Sequence, residues 1–467
     1  MTSKQSVLDP PARDTFEHPG PLPGEAPARL TVLAPDVTGA AGRDPAAPPL
    51  AGRPRPQPGL RQSFSALRHR NFRLFWTGQL ISLIGTWMQM IARAWLVYKL
   101  AAGTGQEGFW LGMVGLASAA PVLVISLYAG VITDRVSKWR IIVATQTSAM
   151  ILAFVLGGLT HLGIVQIWQV LLLSVLTGVV NAFDGPARQA FVVEMAGKED
   201  LLNAVALNST IFNAARVLGP AVAGVALGLM GPALCFDLNG VSYLAVITGL
   251  LMMRLPPFVP RAQSAGAWVK LKEGLAYVRQ DRIILPVMLL VGINSLFGMT
   301  YSTLAPIFAD SVLRVGESGY GLLMAAAGVG ALLGAVNLAV QSGRASIHRG
   351  RLILAGSILF GVFLCGFALS RVFALSLVLL AAVGWSMISQ NATSNTVVQT
   401  TSPDHLRGRV MSVYSLLMMG VAPLGAPLAG WMADVWGAPV ALFFNGAVCV
   451  TTGIWIWRWR PQVSRVQ

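Results

Sequence analysis

From about residue 72 onward, the chain consists of apolar stretches long enough to cross a lipid bilayer. A bilayer core of ~30 Å requires roughly 20 apolar residues per helix. Of the residues, 54% are hydrophobic and 11% are charged, whereas soluble proteins carry about 25% charged residues. The sequence therefore predicts an all-α integral membrane protein with twelve transmembrane helices. The predicted spans are residues 74–98, 109–132, 141–160, 165–187, 205–229, 234–253, 284–309, 319–341, 350–370, 373–398, 408–433 and 438–458.

Lysine and arginine residues are unevenly distributed between the two sets of turns. The turns after even-numbered helices hold sixteen of them and the turns after odd-numbered helices hold three. Because short basic turns stay on the cytoplasmic side of a membrane, both termini are expected in the cytoplasm. The sixteen are Arg135, Lys138, Arg140, Arg188, Lys198, Arg254, Arg261, Lys270, Lys272, Arg279, Arg282, Arg344, Arg349, Arg351, Arg407 and Arg409, and the three are Lys99, Arg314 and Arg371.

The segments outside the predicted spans indicate a tail and a linker. Residues 1–62 are rich in Pro, Ala and Gly and have no hydrophobic period, which predicts a disordered cytoplasmic tail. Residues 255–282 predict a cytoplasmic linker, in which WVKLKEGLAYVRQ (268–280) forms a basic amphipathic helix on the inner leaflet. The net charge of +15 does not indicate a nucleic-acid partner, because the basic residues lie between apolar spans. We expect them to contact membrane lipids.

Motifs of enzymes and ATP-driven pumps are missing from the sequence. There is no GxxxxGK[ST] loop, no HExxH and no GxSxG in a strand–turn–helix setting. The three cysteines lie in apolar stretches without CxxC spacing, and none of the five histidines falls in the middle of a predicted span. We therefore expect neither an enzyme nor a cofactor or metal site. If the chain transports a compound, we therefore expect an ion gradient to drive the transport.

Glycine positions indicate an internal repeat. A shift of 206 residues pairs four glycines and one Asn-Gly dipeptide without a gap over about sixty residues. This register predicts two six-helix bundles in the same orientation, residues 63–254 and 283–460, as in transporters whose halves rock against each other. The pairs are Gly178 with Gly384, Gly219 with Gly425, Gly224 with Gly430, Gly231 with Gly437, and Asn239-Gly240 with Asn445-Gly446.

The turn between predicted helices 2 and 3 reads AGVITDRVSKWR and resembles a signature of the major facilitator superfamily. The segments SFSALRHRNFRLFWTGQLISLIGTWMQ, NAFDGPARQAFV and NAVALNSTIFNAARVLGPAVAG resemble its bacterial secretion-effector branch, which includes the enterobactin exporter. Ser137 stands where the superfamily usually has glycine. The resemblance implies the fold of that superfamily, the bacterial cytoplasmic (inner) membrane, and a protein that functions as a monomer.

The same resemblance implies a gate in the turn after helix 2. Asp134 would brace the two halves together, helped by the positive N-terminus of helix 11, with Arg188 of helix 4 as its candidate basic partner. A simpler alternative is that the basic residues only anchor the turn to anionic lipid. The predicted gate residues are Gly130, Asp134, Arg135, Lys138, Arg140 and Arg188.

Polar residues spaced three and four apart mark one face of predicted helices 1, 4 and 5. They indicate a wetted central cavity, although hydrogen bonds between helices would explain the serines and threonines equally well. Arg93 and Arg216 favour the cavity, because an unpaired guanidinium is costly in hydrocarbon, or else an ion pair with Asp184 or Asp237. The cavity candidates are Gln89, Arg93, Asn181, Asn213, Arg216, Asn294, Tyr301 and Gln390.

In helix 5, ARVLGPAVAG resembles the export motif of the superfamily through Gly219, Pro220 and Gly224, while Ala215 and Ala223 replace two glycines. A generic seam of small residues is the alternative. We expect export of a small amphipathic compound, siderophore-like or drug-like, in exchange for protons.

Coupling to protons requires a titratable group in the spans. Asp184 and Asp237 are the candidate proton carriers. Two other functions stay open: a broad multidrug or macrolide efflux pump, and a membrane sensor or scaffold that does not transport.

Overall fold

The computed structural model describes residues 62–196, 200–255, 267–341 and 348–466. These described residues belong to one compact unit. The predicted tail, apart from residue 62, lies outside the described residues, as does part of the predicted linker, residues 256–266. In the described part every regular element is helical, as a chain in hydrocarbon requires, because a helix satisfies its own backbone groups.

The first half contains six long helices and the second half six more, joined by a linker helix, Ala267–Gln280. In the first half, the helices are α1 Arg70–Ala101, α2 Glu107–Arg135, α3 Lys138–His161, α4 Ile167–Ala196, α5 201–230 and α6 232–251. In the second half, they are α7 Ile284–Val312, α8 Gly316–Gln341, α9 Arg349–Leu369, α10 Phe373–Thr401, α11 404–436 and α12 Ala438–Trp459.

The twelve predicted spans are present, although no loop separates the fifth span from the sixth. Eleven described helices are long and apolar enough to cross a bilayer, and one of these, Leu201–Leu251, has 51 residues. At 1.5 Å per residue it would be about 77 Å long, more than twice the ~30 Å bilayer core. Its backbone breaks at Gly231, where φ is 75° and ψ is 177°, and Pro232 follows. The break divides it into α5 and α6.

The 206-residue repeat is confirmed by the neighbours of its glycines. Gly178 packs on α2 and its equivalent, Gly384, packs on α8. Gly219 faces α1 where Gly425 faces α7, and Gly240 faces α3 where Gly446 faces α9. A Cβ at any of the six would collide with the facing helix. These six glycines, which the sequence pairs, therefore lie where equivalent helices approach each other closely in each half.

Both described ends of the chain lie on one side of the bundle, since the number of spans is even. We call this side the terminal face and the other the distal face. The linker helix packs at the terminal face on the start of α11, where Glu273 pairs with Arg409 at 2.7 Å, and Val278 is buried. Besides any lipid contact predicted for it, this helix thus joins the protein core.

A short 3₁₀ helix, Gln62–Arg68, packs the segment before α1 against the first half. Ser65 donates a hydrogen bond to Asp200, just before α5, and His69 Nε2 lies 2.8 Å from the same carboxylate. The Ser65 and His69 hydrogen bonds lower the pKa of Asp200. The ionised carboxylate therefore holds the start of α1 against the start of α5.

Replacing Gly231 or Gly437 with alanine is expected to destabilise the protein. Both glycines have positive φ, 75° and 85°, in a region that is strained for any residue with a side chain. Each substitution should cost about 1–3 kcal/mol and lower the melting temperature of the detergent-purified protein. Gly158→Ala is the control, because Gly158 lies inside α3 with no atom within 4 Å of an added Cβ. Equal melting temperatures for Gly231→Ala and Gly158→Ala would contradict the assignment of a strained break.

Candidate functional site

A cavity of about 360 Å³ lies within the first half, between α1, α3, α4, α5 and α6. Its wall mixes apolar and aromatic side chains with amides and one ion pair. Pockets of this size and composition are typical of small-molecule sites. The lining residues are Ser82, Leu83, Thr86, Trp87, Met90, Gln146, Ala149, Val180, Asn181, Asp184, Gly185, Arg188, Gln189, Asn208, Phe212 and Tyr243.

Asp184 is the most heavily bonded side chain in this cavity. It is 6% exposed and pairs with Arg188, one turn further along α4. Thr145 Oγ1 and Gln146 Nε2 of α3 donate to the same carboxylate oxygen at 2.8 and 2.9 Å. Asp184 therefore joins α3 to α4 and keeps the Arg188 guanidinium, which is 14% exposed, at the cavity wall.

The predicted gate residues lie around the α2–α3 turn at the terminal face. Gly130 and Asp134 belong to α2, and the structure describes only their place in this helix. Arg135 and Arg140 are exposed, and Lys138 pairs with Glu194 of α4 at 2.7 Å. Arg188 is bonded to Asp184, so its pairing with Asp134 remains a prediction.

Among the cavity candidates of the first half, only Asn181 lines the 360 Å³ cavity directly. Gln89 accepts a hydrogen bond from Asn239 of α6, a neighbour of the cavity residue Tyr243. Arg93 donates to Ser174 of α4 at 3.4 Å. Asn213 donates to the carbonyl of Ser209 on its own helix. These contacts match the alternative of hydrogen bonds within and between helices at least as well as a wetted path.

The candidates of the second half form a separate group. Asn294 of α7 donates to Gln390 of α10 at 2.8 Å and to Ser357 of α9 at 2.9 Å. Tyr301 of α7 is buried and lies near Arg216 of α5, in the other half. The structure therefore bonds two of the cavity candidates directly to each other, Asn294 and Gln390.

The helix 5 motif lies at contacts between packed helices. Gly219 faces Trp87 of α1, and Gly224 faces Gly321 of α8, in the other half. The carbonyl of Pro220 also approaches Gly321. The small residues thus allow α5 to meet α8 backbone to backbone, which is the packing seam that we considered as the alternative. The link of this motif to export remains a prediction.

At the distal face the two halves are bonded to each other by α1 and α7. Lys99 of α1 pairs with Asp310 of α7 at 3.0 Å, and the Tyr98 hydroxyl donates to the same carboxylate at 2.9 Å. Below this pair, Trp95 stacks on Tyr320 of α8, with ring centroids 6.0 Å apart. Both rings are buried, at 4% and 1% exposure. Together these contacts close the seam between the halves.

A second distal contact joins α2 and α11. The N-cap residue of α2, Gln106, provides no side-chain cap, so the first amides of the helix need another acceptor. Asp434 of α11 provides it by accepting from the amides of Gly108 and Phe109 at 2.7 and 2.8 Å. We call Lys99, Asp310 and Asp434, with their partners, the distal latch. Sequence reasoning missed it, although an acid at the end of an apolar span was a visible signal.

The second candidate proton carrier, Asp237, lies near the distal end of α6. His161, at the end of α3, lies 2.7 Å from its carboxylate through Nε2. Both side chains are partly exposed, at 29% and 53%. Asp184 and Asp237 therefore sit in different surroundings, one enclosed by three partners and the other paired with a histidine at the distal face.

Residues 61–464 match the family described as transmembrane secretion effector. The chain belongs to that family of the major facilitator superfamily. Relatives include the staphyloferrin A transporter of Staphylococcus aureus, with 25% identity over 81% of this chain and 94% of that protein. The multidrug efflux pump Tap of Mycolicibacterium fortuitum is 28% identical over 76% of this chain and 87% of Tap. The enterobactin exporter EntS of Salmonella choleraesuis is 24% identical over 83% of this chain and 91% of EntS.

Solved structures of the superfamily share the fold of this secretion effector. A bacterial homolog of the human lysosomal transporter Spinster, inward-facing and occupied, matches with a TM-score of 0.66 at 15% identity, covering 85% of this chain and 99% of that one. A peptide transporter POT in complex with sulfate matches with a TM-score of 0.66 at 14% identity, covering 85% of this chain and 95% of that one. The family, the transporter relatives and the eleven apolar helices of the described part show that the chain is a multi-pass membrane transporter and not an enzyme.

Breaking the Asp184–Arg188 pair is expected to destabilise the transporter strongly. Asp184→Asn leaves a buried guanidinium without its counter-charge, which costs about 3–5 kcal/mol. The double variant Asp184→Asn/Arg188→Gln should recover part of the lost melting temperature. Asp404→Asn is the matched control, because Asp404 is 87% exposed in its pair with Arg407 and an exposed pair contributes little. Additive losses in the double variant would show that the two side chains are not coupled.

Proposed function

We propose that this transporter exports a small amphipathic organic compound across the bacterial cytoplasmic membrane in exchange for protons. The observation that carries the proposal is the 360 Å³ cavity of mixed polarity in the first half, combined with a latched distal face. A site held between a closed face and an opposite face that can open is what alternating access requires.

The positions of the basic residues support an orientation of the transporter in the membrane. We propose that the terminal face is cytoplasmic, because the basic turns and the linker helix belong to it. With the distal face outside, the latched form would load its substrate from the cytoplasm. The gate at the α2–α3 turn, with Asp134 and Arg188, would then close the terminal face when the distal latch opens.

The cavity wall supports an amphipathic substrate. Trp87, Met90 and Phe212 offer apolar and aromatic surface, while Asn181 and Arg188 offer hydrogen bonds and charge. The multidrug efflux pump Tap, the enterobactin exporter EntS and the staphyloferrin A transporter support two substrate classes, drugs and siderophores. Transport of a probe from either class would also exclude the alternative of a sensor that does not transport.

Phe212→Ala is expected to weaken export without damaging the fold. Phe212 lines the cavity and is 43% exposed, so its loss removes apolar contact area from a bound compound. Everted membrane vesicles, in which export fills the interior, should take up ethidium or a fluorescent catechol with KM raised about tenfold. Phe443→Ala is the control, since Phe443 on α12 is 42% exposed and does not line the cavity. Equal KM values for the two variants would contradict the assignment of the cavity as the substrate site.

Of the two candidate proton carriers, we favour Asp237. Asp184 already has three partners, two on α3 and Arg188 on its own helix α4. Asp237 and His161, in contrast, form a partly exposed pair at the face that we propose to meet external protons. Such a pair can take up a proton from outside and pass it on as the distal face opens.

Asp237→Asn is therefore expected to abolish the part of export that a proton gradient drives. In acid-inside everted vesicles, uptake of the same probe should fall to the rate seen without a gradient, while exchange of labelled for unlabelled probe continues. Asp404→Asn, the same chemical change at an exposed surface pair, should leave gradient-driven uptake intact. If the Asp237 variant responds to the gradient like the parent, Asp237 is not the carrier.

A further inference from the structure

The second half holds a small cavity with an unusual wall. Its volume is about 30 Å³, room for a water-sized group and not for a whole organic molecule. Its wall combines four uncharged polar residues, among them Asn294 and Gln390, with three methionines and one aromatic ring. The complete lining is Asn294, Ser295, Met299, Phe360, Met387, Gln390, Asn391 and Met418.

Both amides in this wall are fixed but incompletely bonded. Asn294 Nδ2 donates to Ser357 Oγ and to Gln390 Oε1, which holds the two side chains edge to edge. Asn294 Oδ1 and Gln390 Nε2 are buried and have no hydrogen-bond partner. The residues are 6% and 1% exposed. An unpaired buried polar atom costs about 1–3 kcal/mol, so this arrangement is unfavourable unless something binds to it.

The two unpaired atoms are complementary in kind. Asn294 Oδ1 can only accept a hydrogen bond, and Gln390 Nε2 can only donate one. A hydroxyl group does both, through its hydrogen and its oxygen. None of the lining residues is charged, so the wall offers no counter-charge to a carboxylate or an ammonium group. The chemistry therefore selects a small neutral group that donates and accepts at once.

The cavity lies beside two irregular turns of the helical backbone, close to the contact between the halves. α7 contains a π-helical turn at Asn294–Gly298, and α11 contains one at Leu416–Gly420. Such turns are frequent at functional sites. Met418 belongs to the second turn, two residues from Gly420, which approaches Leu123 of α2 in the first half. Methionine side chains reshape easily around different ligands.

We propose that Asn294 and Gln390 form a hydroxyl-binding subsite, which receives an alcohol or phenol group of the exported compound. The inference rests on the proposed export function and adds a substrate feature, namely a neutral hydroxyl on the part of the molecule that contacts the second half. Met299, Met387 and Met418 would pack around the carbon atoms next to that hydroxyl.

The test compares two probes that differ only in this group, dansylated dopamine, a catechol, and its dimethyl ether. Binding to the full-length, detergent-purified transporter is followed by energy transfer from its tryptophans to the dansyl group. The parent should bind the catechol about tenfold more tightly than the ether, equivalent to ~1.4 kcal/mol. Gln390→Met should reduce catechol affinity to the level of the ether and leave ether affinity unchanged.

The matched control is Gln399→Met, because Gln399 lies two to three turns further along α10 and bonds Asn395 at the surface. It should keep the parental preference for the catechol. If the parent binds both probes equally, the subsite is refuted, while the export proposal stands. If Gln390→Met weakens both probes equally, its effect is structural and the subsite is again refuted. If the parent binds neither probe, the subsite is refuted together with the siderophore-like part of the export proposal. Where the Gln390 variant does not fold, the comparison of the two probes on the parent can still refute the subsite.

Discussion

The exclusion of water from the bilayer is the constraint on which this structure depends. In hydrocarbon every buried polar group needs a partner within the protein, because water cannot supply one. The chain meets most of this demand with helices throughout its described part and with side-chain bonds that join one helix to the next, while a few buried atoms, such as Asn294 Oδ1 and Gln390 Nε2, stay unpaired. Asp184 ties α3 to α4, and Asn294 ties α7 to both α9 and α10. Where such bonds cross between the halves, they decide which face of the transporter is closed.

The distal latch illustrates how this constraint becomes a conformational device. Lys99 with Asp310, and Asp434 with two backbone amides of α2, are polar contacts that join the halves at the distal face. The glycine contacts between α5 and α8 bring the same halves together without polar groups. If the halves rock against each other, the polar contacts of the distal latch would break, while the glycine contacts between α5 and α8 would stay in place as the axis of the rotation. In the proposed export cycle, the latched form is the one that loads from the terminal face.

The fold was predictable because hydrophobic length and glycine spacing act locally. Twelve spans followed from apolar runs, and the 206-residue register anticipated equivalent contacts at Gly178 and Gly384. The site was harder, since helix periodicity shows which residues share a face but not which helix that face meets. The polar stripe of α4 thus identified Asp184, while its α3 partners, Thr145 and Gln146, went unnoticed.

Pairs between distant segments were the main omission. Asp434 and Asp310 lie at the ends of apolar runs, where an acid usually indicates only the membrane boundary. Their partners are in the other half of the chain, and no local pattern reveals them. The break at Gly231 was similarly invisible as a backbone conformation, although the predicted loop between two spans fell at that point.

The central claim is that the halves close at the distal face and open there during transport. Spin labels at Gln106, which precedes α2, and at Val435, next to Asp434, would report the distance between the two halves at the distal face in nanodiscs, once the three native cysteines are replaced. A short, narrow distance distribution is predicted for the resting transporter, with a second, longer distance after a transported probe is added. A single long distance at rest that the probe does not change would contradict the account.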